Sequence, residues 1–457
     1  MTGGPGWTVD EATAQSSGMP EDLSHLQVQT LAEAFAQARG AGLGEDVAKD
    51  SSRLVELASQ APVVRLVDVV LVEAVNRRAS DIHIEAFERD VSIRYRIDGR
   101  CYQVAQPPKS LALAIASRIK VLANLDVAES RLPQDGRMLL DANLHAKDAG
   151  AGMGARQIDL RVSTLPTIHG ESIVLRVLDK GSLDKTLGQL GMDALMQQTI
   201  ERLIQRPHGL FLVTGPTGAG KTTTLYACLS KLNNPDVKLI TTEDPVEYDL
   251  KGLVQVAINA KINLTFATCL RAILRHDPDV IMVGEIRDLE TAQTAVQAAL
   301  TGHLVFSTLH TNDAPGAVTR LLDMGVEPFL VTSTVVGVLA QRLMRSLCPQ
   351  CRTPYEATPE DLAALHVAGE ELEHHLMRAS GCDACQGIGF KGRNGLFELL
   401  LMSEALRPLI IERVSVGEIR AKAQAEGMRS LRQDGIAKVL AGITTVEEMI
   451  RETQDYA

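Results

Sequence analysis

Aromatic residues make up only 3% of this 457-residue chain, with a single tryptophan, so its cores must rely on leucine, valine, isoleucine, alanine and methionine. Basic residues are not in excess: 46 Lys and Arg face 57 Asp and Glu, a formal net charge of −11. A protein that lives by gripping a nucleic-acid backbone usually carries the opposite balance, so no nucleic-acid partner is expected. No run reaches the ~18 uninterrupted apolar residues that a membrane-spanning helix needs. The nearest, 329–340, is broken by threonines, a serine and a glycine. Nor does Met1–Asp10 join a basic region to an apolar core, so no signal peptide is read there. These absences place the expected protein in the cytosol, reaching a membrane only through partners. What is present is 45% apolar and 23% charged, ordinary for a globular chain, and the length allows two to four domains of ~150 residues.

The stretch that organises the rest is Gly215-Pro-Thr-Gly-Ala-Gly-Lys-Thr222. It has the spacing G-x-x-x-x-G-K-T of a phosphate-binding loop. An apolar run, Gly209–Gly215, precedes it as a buried strand would, and Thr223–Leu232 follows with helical spacing. Glycines at 215, 218 and 220 let the backbone turn its N–H groups inward, and the helix N-terminus adds positive potential. Pro216, Thr217, Ala219 and Thr223 complete the expected ATP-binding loop. Lys221 is expected on the β- and γ-phosphates, and the Thr222 hydroxyl on Mg²⁺.

Along the chain, residues 1–50 read as a leader with one candidate helix, Leu26–Ala38, and no evident chemistry. Val63–Arg77 is an apolar helical run. Val91–Gly99 alternates strictly, with Val91, Ile93, Tyr95 and Ile97 on one face and Ser92, Arg94, Arg96 and Asp98 on the other. That is a half-buried strand ending in an Asp-Gly turn. A helix is expected over Leu111–Leu125, with Arg118 and Lys120 exposed. Ile158–Val162 and Ile173–Val177 are further alternating strands, and the glycine cluster at 147–155 is a loop tip between strands. Together these describe a small α+β domain.

Beyond the loop, apolar runs at Val237–Thr242, Asp279–Gly284 and Leu304–Leu309 end at Glu243, Glu285 and His310 respectively. Strands alternating with helices imply a largely parallel, doubly wound sheet, whose ligand sits at the carboxyl ends of the strands. The loop, Glu243, Glu285 and His310 should therefore converge on one site. Glu285 is a candidate to polarise the attacking water or to hold Mg²⁺ through water. Glu243, with Asp244 or Glu247, could share that work, and the residues alone do not choose the base. His303 and His310 could donate hydrogen bonds to a γ-phosphate, although a lone histidine is more often structural.

Of seven cysteines, 101, 228 and 269 stand alone and are expected to fill core volume. The others form Cys348-Pro-Gln-Cys351 and Cys382-Asp-Ala-Cys385. Two C-x-x-C knuckles can hold Zn²⁺ by four thiolates, a closed and structural site. Two redox pairs are the alternative.

Thr242–Glu247, Leu274–Asp288 and Thr301–Asn312 resemble the Asp box, Walker B and His box of secretion ATPases of the type II/type IV secretion superfamily. Ser80–Glu85, Arg94–Gly99, Leu132–Arg137, Leu160–Pro166 and Thr444–Glu448 extend the resemblance over about residues 60–450, most closely to the type II secretion branch. The resemblance implies a RecA-like P-loop ATPase core with a zinc-knuckle insertion and C-terminal helices. It gives an expected division into a leader at 1–58, an α+β N-terminal domain at 59–185, the core at 186–345, a tetracysteine module at 346–395 and C-terminal helices at 396–457. It makes Arg137 and Arg161 candidates to reach nucleotide phosphates, and it favours function for His303 and His310 together. It also implies a hexameric ring at the cytoplasmic face of the inner membrane, working with inner-membrane secretion platform proteins to assemble a pseudopilus. Fewer than sixty residues precede the matched part, where members of this branch often carry a larger domain that grips an inner-membrane partner, so a reduced grip is expected. A type IV pilus assembly ATPase, a DNA-translocating ring and a nucleotide-binding scaffold are the rival readings.

Overall fold

A computed structural model describes residues 51–141, 157–178, 185–366 and 375–454. The candidate helix at 26–38 and the loop tip at 147–155 lie outside the described residues. The first sheet comprises β1 (Asp81–Ala86), β2 (Val91–Ile97), β3 (Arg100–Ala105), β4 (Gln134–Asp141), β5 (Gln157–Thr167) and β6 (Gly170–Leu178). Their order is β3-β2-β1-β6-β5-β4, antiparallel throughout. The alternation read in Val91–Gly99 sets which face is buried. Ile93, Tyr95 and Ile97 join a core closed by helices Ala61–Asn76 and Ala112–Leu122. Tyr95 reaches through this core and donates its hydroxyl to Val70 O at 2.6 Å. Asp98 and Gly99 both take positive φ, as a tight two-residue hairpin turn requires. On the opposite face the register sets Arg96, Asp81, Arg176, Arg161 and Arg137 side by side across five strands.

One expectation fails here. Lys120 is not exposed but 1% accessible, with its ammonium on Glu171 at 2.5 Å and donating to Glu129 O at 2.8 Å. Arg118 is also largely covered and faces Asp68 at 3.8 Å. Two residues apart on one helix, they point to different sides, Arg118 toward helix Ala61–Asn76 and Lys120 toward β6. Helical spacing alone does not show that β6 presents the Glu171 carboxylate to Lys120.

The second sheet comprises β7 (Gly209–Thr214), β8 (Leu239–Glu243), β9 (Leu253–Ala257), β10 (Val280–Val283), β11 (Leu304–Leu309), β12 (Val335–Leu347) and β15 (Phe390–Leu401). The two short strands between the last pair, β13 (Thr353–Tyr355) and β14 (Leu376–Arg378), form a separate hairpin. The order is β15-β12-β7-β11-β10-β8-β9, parallel from β12 to β9 with β15 antiparallel at the far edge. β7, β8, β10 and β11 are buried along their whole length, and this is why none of them shows the in-out alternation of a half-exposed strand. Helices cover both faces. Ala194–Ile204 and Lys221–Leu232 lie over one core; Phe266–Ile273, Leu289–Leu300 and Ala314–Asp323 lie over the other. Cys228 and Cys269 fill these cores as expected, whereas Cys101 on β3 is partly exposed. Among the described residues no helix is long and apolar enough to cross a membrane.

The two sheets meet at a charged seam. The carboxylate of Glu448, in the last helix Val446–Thr453, accepts from Arg100 of β3 at 2.9 Å, Arg345 of β12 at 2.6 Å and Arg451 at 2.8 Å. Arg345 also donates to the Tyr102 hydroxyl at 3.0 Å and lies 3.9 Å over the Phe390 ring. Burial works against the Glu448 carboxylate, yet its arginines hold it below the ordinary glutamate value. Glu448→Ala is expected to destabilise the protein by ~3–5 kcal/mol, because Arg345 is left buried without its counter-charge. Chemical denaturation of the variant against wild type measures this.

Candidate active site

β7 delivers the chain into the glycine loop at the middle of the second sheet. Gly215 has φ +147, and a Cβ there would lie 2.3 Å from Gln341 O on β12, so only glycine permits the turn. Gly218, with φ +81, faces open space, and Gly220, with φ +87, is the N-cap of helix Lys221–Leu232. Ala219 N donates to Pro216 O at 3.2 Å, closing the loop on itself. Thr222 and Thr223 start the helix beside Lys221. Lys221 folds back to donate to Gly215 O at 2.7 Å and Pro216 O at 3.2 Å, so its ammonium rests on loop carbonyls. Burial pulls its pKa below the ordinary lysine value, opposed by the nearby charge of Glu285. A loop of this curvature, with a lysine and a hydroxyl at the helix start, fits a triphosphate and its Mg²⁺.

Glu285 stands beside it. Its neighbours in the chain are tied down on both sides: Gly284 N donates to Thr242 O at 2.7 Å and Ile286 N donates to Thr308 O at 3.0 Å. The carboxylate lies 3.0 Å from His310 Nε2 and 2.5 Å from an Arg287 guanidinium nitrogen. Burial opposes its charge, but hydrogen bonds from Arg287 and His310 hold the carboxyl below the ordinary value. Glu285 is therefore an ionised acceptor at neutral pH, set opposite the phosphate loop.

Glu243 ends β8 nearby but in a different environment. It is 3% exposed and accepts from the Tyr226 hydroxyl, from Thr241 Oγ1 at 2.6 Å and from Gln255 Nε2 at 3.0 Å. Three neutral donors occupy this carboxylate, whereas Glu285 is bound by groups that line the cleft. Among the two, the geometry favours Glu285 for contact with water.

His303 is not brought to this site. It precedes β11, while His310 follows it, so the two histidines stand at opposite ends of one strand, ~20 Å apart at ~3.3 Å per residue. His303 instead holds the preceding turn, with Nδ1 2.9 Å from Ala298 O and 3.2 Å from Thr301 Oγ1. Arg161 leaves the first sheet to donate to Val246 O at 3.2 Å and to pair with Glu247 at 3.3 Å, touching the acidic segment after β8. Arg137 ends on Asp159 of its own sheet at 2.7 Å, with its side chain largely exposed. Arg271 pairs with Glu290.

Residues not singled out from the sequence also shape the site. The Gln341 amide donates to Ala219 O at 2.7 Å and accepts from Thr224 at 2.8 Å, bracing the loop from β12. Its signal was a lone amide in the apolar run Val338–Ala340 onward. Thr214 Oγ1 accepts from Thr311 N at 2.9 Å, tying the end of β7 to the segment after β11.

The four knuckle cysteines converge. Their Sγ atoms all lie within 4.8 Å of one another, and Cys348–Cys382, Cys351–Cys385 and Cys382–Cys385 are 3.9, 3.7 and 3.8 Å apart. Tetrahedral Zn²⁺ with ~2.3 Å bonds sets sulfur atoms ~3.8 Å apart, so the spacing fits that ion. Disulfides would require ~2 Å.

A phosphate loop inside a parallel sheet, faced by a carboxylate from the end of the strand next but one, defines a P-loop nucleotide hydrolase. The family described as type II/IV secretion system protein matches residues 56–451, and the chain belongs to it. It is 49% identical over 410 residues to type II secretion system protein E of Pseudomonas aeruginosa, spanning 90% of this chain and 79% of that one. It is 50% identical over 402 residues to type II secretion system ATPase E of Vibrio cholerae, spanning 88% and 77%. With HxcR, another type II secretion system protein of P. aeruginosa, it shares 45% over 466 residues, 99% of this chain and 93% of that one. Among solved structures, the fold resembles the Legionella pneumophila ATPase DotB, with a TM-score of 0.61 and 21% identity over 85% of this chain and 95% of DotB. The pilus retraction motor PilT with bound ADP gives 0.55 at 26% identity, over 85% and 96%. These neighbours carry the RecA-like core expected from the sequence.

Proposed function

We propose that this chain hydrolyses ATP to power assembly of the type II secretion pseudopilus, and thereby protein export across the outer membrane. The observation that carries the chemistry is Glu285, ionised, hydrogen-bonded to His310 and Arg287, and set beside Lys221 of the phosphate loop. Lys221 and the loop amides neutralise the phosphates, and Glu285 orients the attacking water and takes its proton. His310 steadies Glu285 and donates to the γ-phosphate. Thr222 would hold Mg²⁺, which supplies further charge neutralisation when bound. Glu243 supports the acidic segment rather than the water. Cys348, Cys351, Cys382 and Cys385 hold a structural Zn²⁺.

The chain acts as a hexamer, with the N-terminal domain at 59–185 and the ATPase domain from 186 onward turning relative to one another. Arg161, already on the 246–247 segment, and Arg137 from the adjacent strand then close on phosphates, a task that suits planar guanidinium groups. It works at the cytoplasmic face of the inner membrane through platform proteins. The type II role is preferred because the type II relatives share 45–50% identity over 88–99% of this chain. Steady-state hydrolysis per chain is expected to rise with protein concentration as rings form, and to vanish in Lys221→Ala at every concentration. Undiminished turnover in that variant would overturn the reading.

A further inference from the structure

Glu398 lies on β15, opposite Ala340 of β12 and two strands from the phosphate-loop strand. It is fully buried. One carboxyl oxygen accepts from Ala314 N at 2.8 Å, and the other is buried without a hydrogen-bond partner. Ala314 begins helix Ala314–Asp323, capped by Asp313, which accepts from Gly316 N at 2.6 Å. Asp313 also pairs with Arg420 of helix Val416–Ala425. Immediately upstream, Thr311 Oγ1 donates to Asp313 O at 3.0 Å and Thr311 N to Thr214 at 2.9 Å, while His310 meets Glu285 at 3.0 Å. The segment 310–313 is thus held by the catalytic carboxylate at one end, the phosphate-loop strand in the middle, and Glu398 with Arg420 at the other end.

We propose that Glu398 is a positioning residue for hydrolysis, holding the segment 310–313, and with it His310, in register with Glu285. The inference rests on the reading that Glu285 and His310 handle the attacking water. Holding by Glu398 depends on its charge. Asp313 faces it from the helix start and Arg420 from helix Val416–Ala425, with the Leu431 backbone on a third side. Burial is the largest influence and pushes the carboxyl up to about 7. The Ala314 amide opposes this, Asp313 adds to it, and Arg420 opposes it. The neutral form is the one this environment tolerates. Ionisation sets a second negative charge beside Asp313, and although the Ala314 and Leu431 amides and Arg420 favour it, the repulsion between the two carboxylates loosens the Asp313 cap. A carboxyl raised on folding makes stability fall as pH climbs from the unfolded value near 4.5 to about 7, because the folded state holds the extra proton in that window.

The test is kcat and KM for ATP between about pH 6 and pH 9 for wild type, Glu398→Gln and Glu398→Ala. Thermal melts and fluorescent ADP binding are measured alongside. Glutamine keeps the acceptor for Ala314 N and cannot ionise. Wild type is expected to decline toward alkaline pH, and Glu398→Gln to keep near wild-type kcat at neutral pH and to lose that decline. Glu398→Ala is expected to lower kcat ~10-fold or more with KM little changed. A Gln variant that retains the wild-type decline, or an Ala variant with unaltered kcat, overturns the proposal. Failure of the water-site reading shows separately, as hydrolysis surviving in Glu285→Gln with Glu398 intact.

Discussion

Glu285→Gln is expected to reduce ATP hydrolysis by ~100-fold or more while MgATP still binds. The substitution preserves size and an oxygen acceptor, so His310 and Arg287 keep a partner and the fold is undisturbed. What it removes is the charge that polarises water and accepts its proton. Glu285 suits that role because two donors hold it ionised despite burial. Glu243→Gln is expected to differ in kind. That carboxylate faces Tyr226, Thr241 and Gln255, so its loss disturbs packing around the acidic segment before it disturbs chemistry. Turnover and fluorescent-nucleotide binding, measured on the same preparations, separate the two effects. Comparable rates for Glu285→Gln and wild type would remove Glu285 from the mechanism.

Replacing both Cys348 and Cys351 by serine is expected to abolish zinc binding, from about one ion per chain to none, and to unfold the region around the knuckles. Without the ion, weak contacts such as the amides donating to Cys385 Sγ are left to hold the four sulfur atoms together. The loss should travel. Cys348 N donates to Gly389 O at 2.9 Å, and Gly389 N donates to Cys385 Sγ at 3.2 Å. The next residue, Phe390, begins β15 and lies under Arg345. Elemental analysis gives the zinc content, and limited proteolysis should show cleavage near 348–390 in the variant alone. Equal zinc in variant and wild type would show that these thiols do not bind it.

Much of this architecture was legible because it follows from local rules. Buried parallel strands cannot alternate, so β7, β10 and β11 stood out as apolar runs, and β2 stood out because one face is wet. The phosphate loop was legible because only glycine fits at 215 and 220. The misreadings have physical causes. His303 and His310 share a motif but sit at the two ends of one strand, so their nearness in sequence hid their separation in space. Lys120 looked like a solvent-facing residue because its counter-charge, Glu171, arrives from a distant strand. Gln341 and Glu398 were missed, and Glu448 was read only as part of a motif, for a similar reason: the partner of each is brought to it only by the completed fold.

Glu448 is one carboxylate serving three guanidiniums, so the seam it closes can part without stranding a charge. If the Asp98-Gly99 hairpin lifts away, Arg100 passes into water while Glu448 keeps Arg345 and Arg451. The Tyr102 hydroxyl exchanges a guanidinium for solvent, and Arg345 keeps its place over Phe390. Separation there gives up contacts for which water readily substitutes, whereas deleting Glu448 does not. The seam is therefore built like a clasp: Arg345 and Arg451 still face the Glu448 and Glu452 carboxylates once Arg100 has left.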